Sequence, residues 1–308
     1  MTIEQIAAAV PAYLGFYDDK SPNTKELKCY ALSFFIDFMS KEYPGQELTP
    51  EMVLEYRRSM FGLEPNTITQ YMRQIRSAIS FMLQARMVTG ENPVPTLFVG
   101  QEKYQPYDNL LTHDDIQRIL RPDYIPEVIS GRVYLRARAM TILTLASGLR
   151  LAELLTLTPE DLDWESGKAV VRHGKGDKRR LVPFPAIAQE AVKQYMDHQR
   201  KACPEGMPLF VNALKKGGYK LLNKRTAQYN ITAYVEAMTG RKDISPHALR
   251  HSAASWWVSC GVSMREVQTL LGHSKIETTE RYASLVAPDT APIRSANAVM
   301  AVAFGKPD

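Results

Sequence analysis

The sequence predicts a mainly helical protein with one small β-sheet, divided into an N-terminal helical bundle and a larger mixed α+β domain. Three observations predict this. Apolar residues recur at helical spacing through the first hundred residues and again beyond residue 186. A polar stretch with glycine and proline, "FVGQEKYQPYDNL", lacks any period and separates the two regions. One segment, "GKAVVRHGKGDKRRLVPF", switches to short β-branched runs around a glycine-rich turn. The boundaries expected are residues 1–98 for the bundle, 99–109 for the linker and 110–308 for the second domain.

The elements follow in order. In "SPNTKELKCYALSFFIDFMSKEY", Ser21 is a candidate cap with Pro22 at the first helical position. Leu27, Tyr30, Ala31, Phe34, Phe35, Phe38 and Met39 then form the apolar stripe. Thr49 and Pro50 repeat the cap-then-proline start. The next helix carries Ile68, Tyr71, Met72, Ile75, Ile79 and Met82 on one face and is expected to run to "TGENP", where Gly90 and Pro93 stop it. In the second domain Thr112 and Asp115 make a capping pair at the start of "LTHDDIQRIL". An apolar helix, "RARAMTILTLASGLRLAELLTL", precedes the β segment, and the chain beyond Ala186 reads as mostly helical. In the tail, Pro292 starts a further helix with Ile293, Ala296, Val299, Met300, Ala303 and Phe304 near helical spacing.

Composition narrows the class. The chain has 308 residues, enough for two cores. Hydrophobic residues make up 45% and charged residues 23%, ordinary values for a globular protein. No apolar run is long enough to span a membrane, and the N-terminus lacks the basic flank of a signal peptide. Cys29, Cys203 and Cys260 have no paired spacing, which argues against a disulfide framework and suits a reducing, cytoplasmic setting. The net charge of +5 permits a nucleic-acid partner without requiring one.

Four stretches of the second domain carry candidate chemistry, and each has a plain alternative. In "ASGLRLAELLTL", Arg150 opens a helix, where a lone arginine is commonly a solvated surface residue. In "RHGKGDKRRLVPF", Arg172, Lys175, Lys178, Arg179 and Arg180 crowd a glycine-rich turn. They read either as a soluble hairpin tip or as a cationic finger for a phosphate backbone. In "SPHALRHSAASWW", Ser245 and Pro246 start a helix that sets His247 and Arg250 three apart. His247 and His251 also have metal-ligand spacing, but no carboxylate lies between them to serve as a base. In "GHSKIETTERYASL", Tyr282 follows His273 by nine positions in a polar segment; most tyrosines are packing residues.

Taken together and in this order, the four stretches resemble the tyrosine recombinases, also called phage integrases. "ASGLRLAELLTL" is similar to that family's first arginine motif and "GKGDKRRLVPF" to its β-hairpin lysine motif. "HALRH" is similar to the His-x-x-Arg motif, and "LLGHSKIETTERYA" to the closing histidine and tyrosine motif. "YASL" stands where phage members commonly have "YAHL". The bundle, with "SPNTKELKCY" and "GENP", resembles the family's SAM-like core-site DNA-binding domain, with no arm-binding domain before it.

The resemblance implies a catalytic set of Arg150, Lys175, His247, Arg250, His273 and Tyr282, with Glu153 and His251 as supporting residues. It implies a site-specific recombinase that cuts and rejoins DNA through a covalent 3′-phosphotyrosine and a Holliday junction, without cofactor or metal. An integrase of a phage or mobile element is the first reading. A chromosome-dimer resolvase or a DNA invertase is the alternative within the family. A topoisomerase, a catalytically silent DNA-binding regulator and a zinc hydrolase on His247, His251 and His273 are the alternatives outside it. The expected partners are double-stranded DNA at a specific site, accessory DNA-bending proteins, and three further copies of the chain in a tetramer on paired sites. The tail helix would dock in the neighbouring subunit and close a ring. Arg57, Arg58, Arg73 and Arg76 in the bundle and Arg172, Lys178, Arg179 and Arg180 in the hairpin are the expected DNA contacts.

These residue types suit the chemistry. Attack on a phosphodiester builds negative charge on the non-bridging oxygens, and two guanidiniums can clamp them with paired hydrogen bonds at any useful pH. Losing one such donor commonly costs about hundred-fold or more. A phenol with a pKa of about 10 needs a base at neutral pH, and His247 is the candidate. Lys175 can protonate the leaving oxygen, and His273 can hydrogen-bond the phosphate.

Overall fold

The computed structural model describes residues 1–18, 22–99, 109–121, 131–172, 179–214 and 217–272. The chain divides into two compact units, Met1–Tyr104 and Gln105–Asp308. The cap expected at Ser21 and the tail helix from Pro292 lie outside the described residues.

The first unit is helical. Its helices are α1 (Ile3–Gly15), α2 (Pro22–Glu42), α3 (Pro50–Ser59), α4 (Pro65–Gln84) and α5 (Thr96–Val99). Ile3, Ile6 and Tyr13 of α1 meet Leu32, Phe35 and Met39 of α2 and Met72, Ile75, Ile79 and Met82 of α4 in one core. The stripe expected on α4 therefore faces inward. Of that on α2, Ala31, Phe35 and Met39 are buried, together with Leu32, while Tyr30 and Phe34 are about half exposed. The helix-stop expectation at Gly90 fails. α4 ends at Gln84, and Arg86 takes a left-handed φ of 56° that turns the chain away earlier. A positive φ outside glycine is tolerated when packing on both sides fixes the turn, and Met82 and Val88 are buried on either side of it.

The second unit is built around α7 (Gly131–Ser147), preceded by α6 (His113–Leu120). The expected capping pair opens α6: Thr112 Oγ1 accepts from the Asp115 N–H, and Asp115 Oδ2 accepts from the Thr112 N–H. α7 is buried almost all round, as a central helix must be. It packs against α9 (Ala186–Gln199), α10 (Lys224–Thr239) and α11 (Pro246–Ser259). The stretch read as one apolar helix is broken at Gly148, and a short α8 (Leu151–Thr156) follows. Strands β1 (Leu162–Asp163), β2 (Lys168–Val171) and β3 (Arg180–Pro183) form the expected antiparallel sheet in that order, with Val171 opposite Arg180. A second hairpin, β4 (Val211–Ala213) with β5 (Tyr219–Leu221), lies in the region that the sequence read as mostly helical, with no strand expected there. Its strands are too short to show a period of two. α12 (Met264–Leu271) closes the described chain. No described helix is long and apolar enough to cross a membrane.

Gly148 decides how this unit closes. Its φ is 63°, and its α-carbon lies against the indole of Trp257 and the side chain of Leu271. A β-carbon there would sit 2.9 Å from Trp257 Cη2 and from Leu271 Cδ2. Gly148→Ala should therefore combine the strain of a left-handed alanine, about 1–2 kcal/mol, with overpacking of about 1–3 kcal/mol. We expect a loss of roughly 2–5 kcal/mol in urea denaturation. A loss well under about 1 kcal/mol would mean that α11 and α12 yield at this contact.

Candidate active site

Five chain ends meet at one place in the second unit: the end of α7, the start of α8, strand β3, the first turns of α11 and the end of α12. The residue at their centre is Glu153. It is the third residue of α8, and its side chain is 4% exposed. Its Oε2 accepts from the backbone N–H of Arg150 (2.8 Å), and its Oε1 accepts from Arg150 Nη1 (2.9 Å). Arg180 of β3 reaches both oxygens, Nη1 to Oε1 at 2.9 Å and Nη2 to Oε2 at 2.7 Å. Arg250 of α11 brings Nη1 to 3.9 Å from Oε2. Burial alone would raise the pKa of this carboxyl. The Arg180 hydrogen bonds, the Arg150 N–H and the two guanidinium charges outweigh burial and hold it below its ordinary 4.5.

The same three arginines meet again at the end of α12. The last carbonyls of a helix have no partner within it. Arg180 Nε donates to the Leu270 carbonyl, Arg250 Nη2 to that of Leu271, and Arg150 Nη2 to that of Gly272. Three consecutive carbonyls are thus each met by a different guanidinium, which also suits the negative end of the helix dipole. Arg250 Nη1 donates to the Gly148 carbonyl at 2.6 Å, so the break between α7 and α8 is tied to α11. Gly272 turns the chain with a φ of 63° directly on the Arg180 side chain, where a β-carbon would lie 3.2 Å from Cδ and Nη1.

His247 opens α11. Ser245 Oγ accepts from the Ala248 N–H, Pro246 takes the first helical position, and the imidazole follows at the surface. Burial on its inner side and the charges of Arg250, Lys224 and Arg150 hold its pKa below the ordinary 6.5. A neutral imidazole is the form that can accept a proton. His251 stacks near it, with ring centroids 6.4 Å apart. Among the described residues no three histidine, cysteine, aspartate or glutamate side chains gather in a way that could hold a metal. The third histidine of the zinc alternative, His273, is outside them.

The structure thus brings Arg150, Glu153, His247, Arg250 and His251 into one neighbourhood. Lys175, Lys178, His273 and Tyr282 lie outside the described residues. Arg57, Arg58, Arg73 and Arg179 are exposed. Arg172 is exposed but forms an ion pair with the buried Asp161, which also accepts from the Thr158 N–H and hydroxyl. Two of the expected DNA contacts have partners within the protein. Arg76 donates to the Val94 carbonyl and ties down the segment after α4. Arg180 has an 8% exposed side chain and is fully engaged by Glu153 and Leu270, so it is part of the interior and not of the hairpin tip. The strand alternation held a signal: Val182 and Arg180 share a face, and Val182 is buried. Sequence reasoning also passed over Arg136, a buried guanidinium of α7 that donates to the Val211 carbonyl and holds the second hairpin.

A buried ion pair that loses one partner leaves an uncompensated charge and commonly costs about 3–5 kcal/mol. Glu153→Ala should lose about that much in chemical denaturation. Because the folded pKa is depressed, the stabilisation is complete above 4.5 and disappears as pH falls through the lowered value. The gap between native and variant stability should therefore close in acid. A gap that stays constant to the acid limit of folding would show that Glu153 does not act as a carboxylate.

Residues 109–287, more than half of the chain, match the phage integrase family. The chain is similar to the tyrosine recombinase XerC of Syntrophus aciditrophicus (strain SB), 35% identical over 229 residues that cover 71% of this chain and 69% of that protein. It is similar to XerC of Bacillus subtilis (strain 168) at 31% over 227 residues, 72% of this chain and 71% of the relative. In fold it resembles the XerH site-specific recombinase bound to a palindromic difH substrate, with a TM-score of 0.72, 21% identity, and 86% of this chain and 77% of that chain covered. It also resembles the Tn1549 transposon integrase in complex with transposon right-end DNA, with a TM-score of 0.68, 20% identity, and 97% and 98% covered. The family match over residues 109–287 and the sequence identities to the XerC recombinases establish that this chain belongs to the phage integrase family and is a site-specific tyrosine recombinase.

Proposed function

We propose that Arg150, Lys175, His247, Arg250, His273 and Tyr282 carry out strand cleavage and rejoining at paired DNA sites. What supports this most directly is the convergence of Arg150 and Arg250, from two different helices, on the one carboxylate of Glu153, with His247 beside them. Two guanidiniums held at one place are suited to the non-bridging oxygens of a phosphodiester, whose charge grows in the transition state. Arg150 is the more open of the two, with a 25% exposed side chain, and would meet the phosphate first.

The steps balance as follows. The Tyr282 hydroxyl gives its proton to the neutral imidazole of His247, and its oxygen attacks phosphorus. The bond from phosphorus to the 5′ oxygen breaks, and that oxygen takes a proton from Lys175. His273 hydrogen-bonds the phosphate. The 3′-phosphotyrosine conserves the energy of the broken linkage, so a 5′ hydroxyl of another strand can reverse each step without a high-energy cofactor. Four copies of the chain on two duplexes would supply the strands in turn, linked by the tail helix.

The integrase role remains the first reading, from the closing motif. The chromosome-dimer resolvase is favoured by one observation: both sequence relatives described above are named XerC recombinases. The two roles differ in the sites they pair. The native protein can select its site from a random duplex library. Two identical copies of that site on one plasmid should recombine if the protein is a resolvase, whereas an integrase would require an unlike partner site.

Tyr282→Phe removes only the attacking oxygen. On a nicked duplex carrying the selected site, the native protein should form a covalent protein–DNA adduct. The variant should bind with native affinity and form none. An adduct in the variant would place the nucleophile elsewhere.

A further inference from the structure

Arg180 stands outside the six residues proposed above, yet it bonds both Glu153 and the end of α12. It lies in β3, opposite Val171 and a few residues beyond Lys175 in the chain. Its two terminal nitrogens grip both oxygens of Glu153, and its Nε holds the Leu270 carbonyl. The backbone of Gly272 packs on its side chain. A planar guanidinium can make these three bonds at once, because its donors point in fixed and different directions. Glu153 in turn orients Arg150 through both the backbone N–H and Nη1.

We propose that Arg180 is a positioning residue for strand cleavage: it fixes Glu153 and the end of α12, and through them the guanidinium of Arg150. Glu153 has two oxygens and three arginine neighbours. Arg180 occupies one line of approach on each oxygen and leaves Arg150 Nη1 a single bond to Oε1. Without Arg180 the carboxylate is free to turn toward Arg250, already 3.9 Å away, or to pull both Arg150 and Arg250 off the phosphate. The last carbonyls of α12 would lose one of their three cations at the point where the chain leads to His273 and Tyr282.

The role also has a protonation signature. Glu153 is faced by Arg150 of its own helix, Arg180 of β3 and Arg250 of α11. Asp161 and Arg172 line, with Glu153, a cavity of about 170 Å³. Burial pushes its carboxyl up, and Arg180 provides the strongest opposing hydrogen bonds. Removing Arg180 leaves burial to act against the remaining charges, so Glu153 should take up a proton at higher pH than in the native protein.

The experiment is single-turnover cleavage of the nicked, selected site by Arg180→Gln, Arg180→Lys, Arg150→Ala and the double variant Arg180→Gln/Glu153→Gln, with DNA affinity measured separately. Arg180→Gln should cleave about tenfold to hundred-fold more slowly at saturating DNA, the usual range for a group that orients another, with affinity unchanged. Its rate should fall in mild acid where the native rate does not, and the double variant should lack that fall. Arg180→Lys restores the charge but not the fork. It should lie between native and Arg180→Gln, and it serves alone if Arg180→Gln does not fold. Weaker DNA binding with a native saturating rate would make Arg180 a phosphate contact and overturn the proposal. A slower rate with the same pH profile as the native protein would reduce it to a structural residue and overturn the proposal as well. The inference rests on Arg150 acting at the phosphate. Normal cleavage by Arg150→Ala would sink that assignment, whereas a defective Arg150→Ala beside a normal Arg180→Lys and Arg180→Gln would sink the positioning role alone.

Discussion

A carboxylate removed from water is tolerable only when cations and hydrogen bonds replace the lost hydration, and Glu153 imposes that condition on the centre of this protein. Three guanidiniums answer it, and they arrive from three parts of the chain: Arg150 from α8, Arg180 from β3 and Arg250 from α11. Each is a long side chain with several donors, so each can bond Glu153 or sit beside it while also meeting a carbonyl of α12. The negative centre thus gathers positive charge that would otherwise repel itself. In the proposed function a phosphodiester would draw on this gathered charge, which its pairing with Glu153 holds in place in advance. Preorganisation of this kind is where most of the rate advantage of an electrostatic site arises.

The backbone is shaped to the same end. Gly148 breaks the apolar run so that Arg150 can start a new helix, and its carbonyl is turned to Arg250. Gly272 ends α12 against Arg180. Both are left-handed turns that strain any other residue; a side chain at Gly148 would also collide with Trp257 and Leu271, and one at Gly272 would press on Arg180. Trp257 and Leu271 fill the space that Gly148 leaves, which joins the hydrophobic core to the arginine cluster at a single contact. Stability and chemistry are consequently coupled here, and the cavity beside Glu153, bordered by Asp161 and Arg172, lies at the same junction.

Much of the fold is legible in the sequence because its signals are local. The capping pair of Thr112 and Asp115, the proline starts at Pro50 and Pro246, and the stripe from Met72 to Met82 depend on neighbours within one or two turns. Local signals also mislead where tertiary packing competes. Tyr30 and Phe34 fit the helical period of α2 and are nonetheless half exposed, because the neighbouring helices cover only part of that stripe, Ala31, Phe35 and Met39, and Leu32 beside it. Gly90 and Pro93 looked like a helix stop, but the chain leaves the helix earlier, at Arg86. The second hairpin escaped notice because three-residue strands carry no period, and Arg136, far away in the chain, holds it.

The candidate site divides in the same way. No single stretch singled out a reactive group; it was the resemblance of four ordered motifs to one family that implied Arg150, Lys175, His247, Arg250, His273 and Tyr282 as a chemical set. Glu153 was legible only as a supporting residue. That it is buried, shared among three arginines and kept ionised is a property of the packed chain, since its partners lie 27 residues away at Arg180 and far off in α11. A guanidinium in a basic tract looks like a solvated surface charge, and for Arg172 and Arg179 exposure agrees with that view. For Arg180 only the tertiary structure could decide. Its strand turns it inward onto a carboxylate and a helix end, and burial of that kind depends on which distant groups the fold brings within reach of its donors.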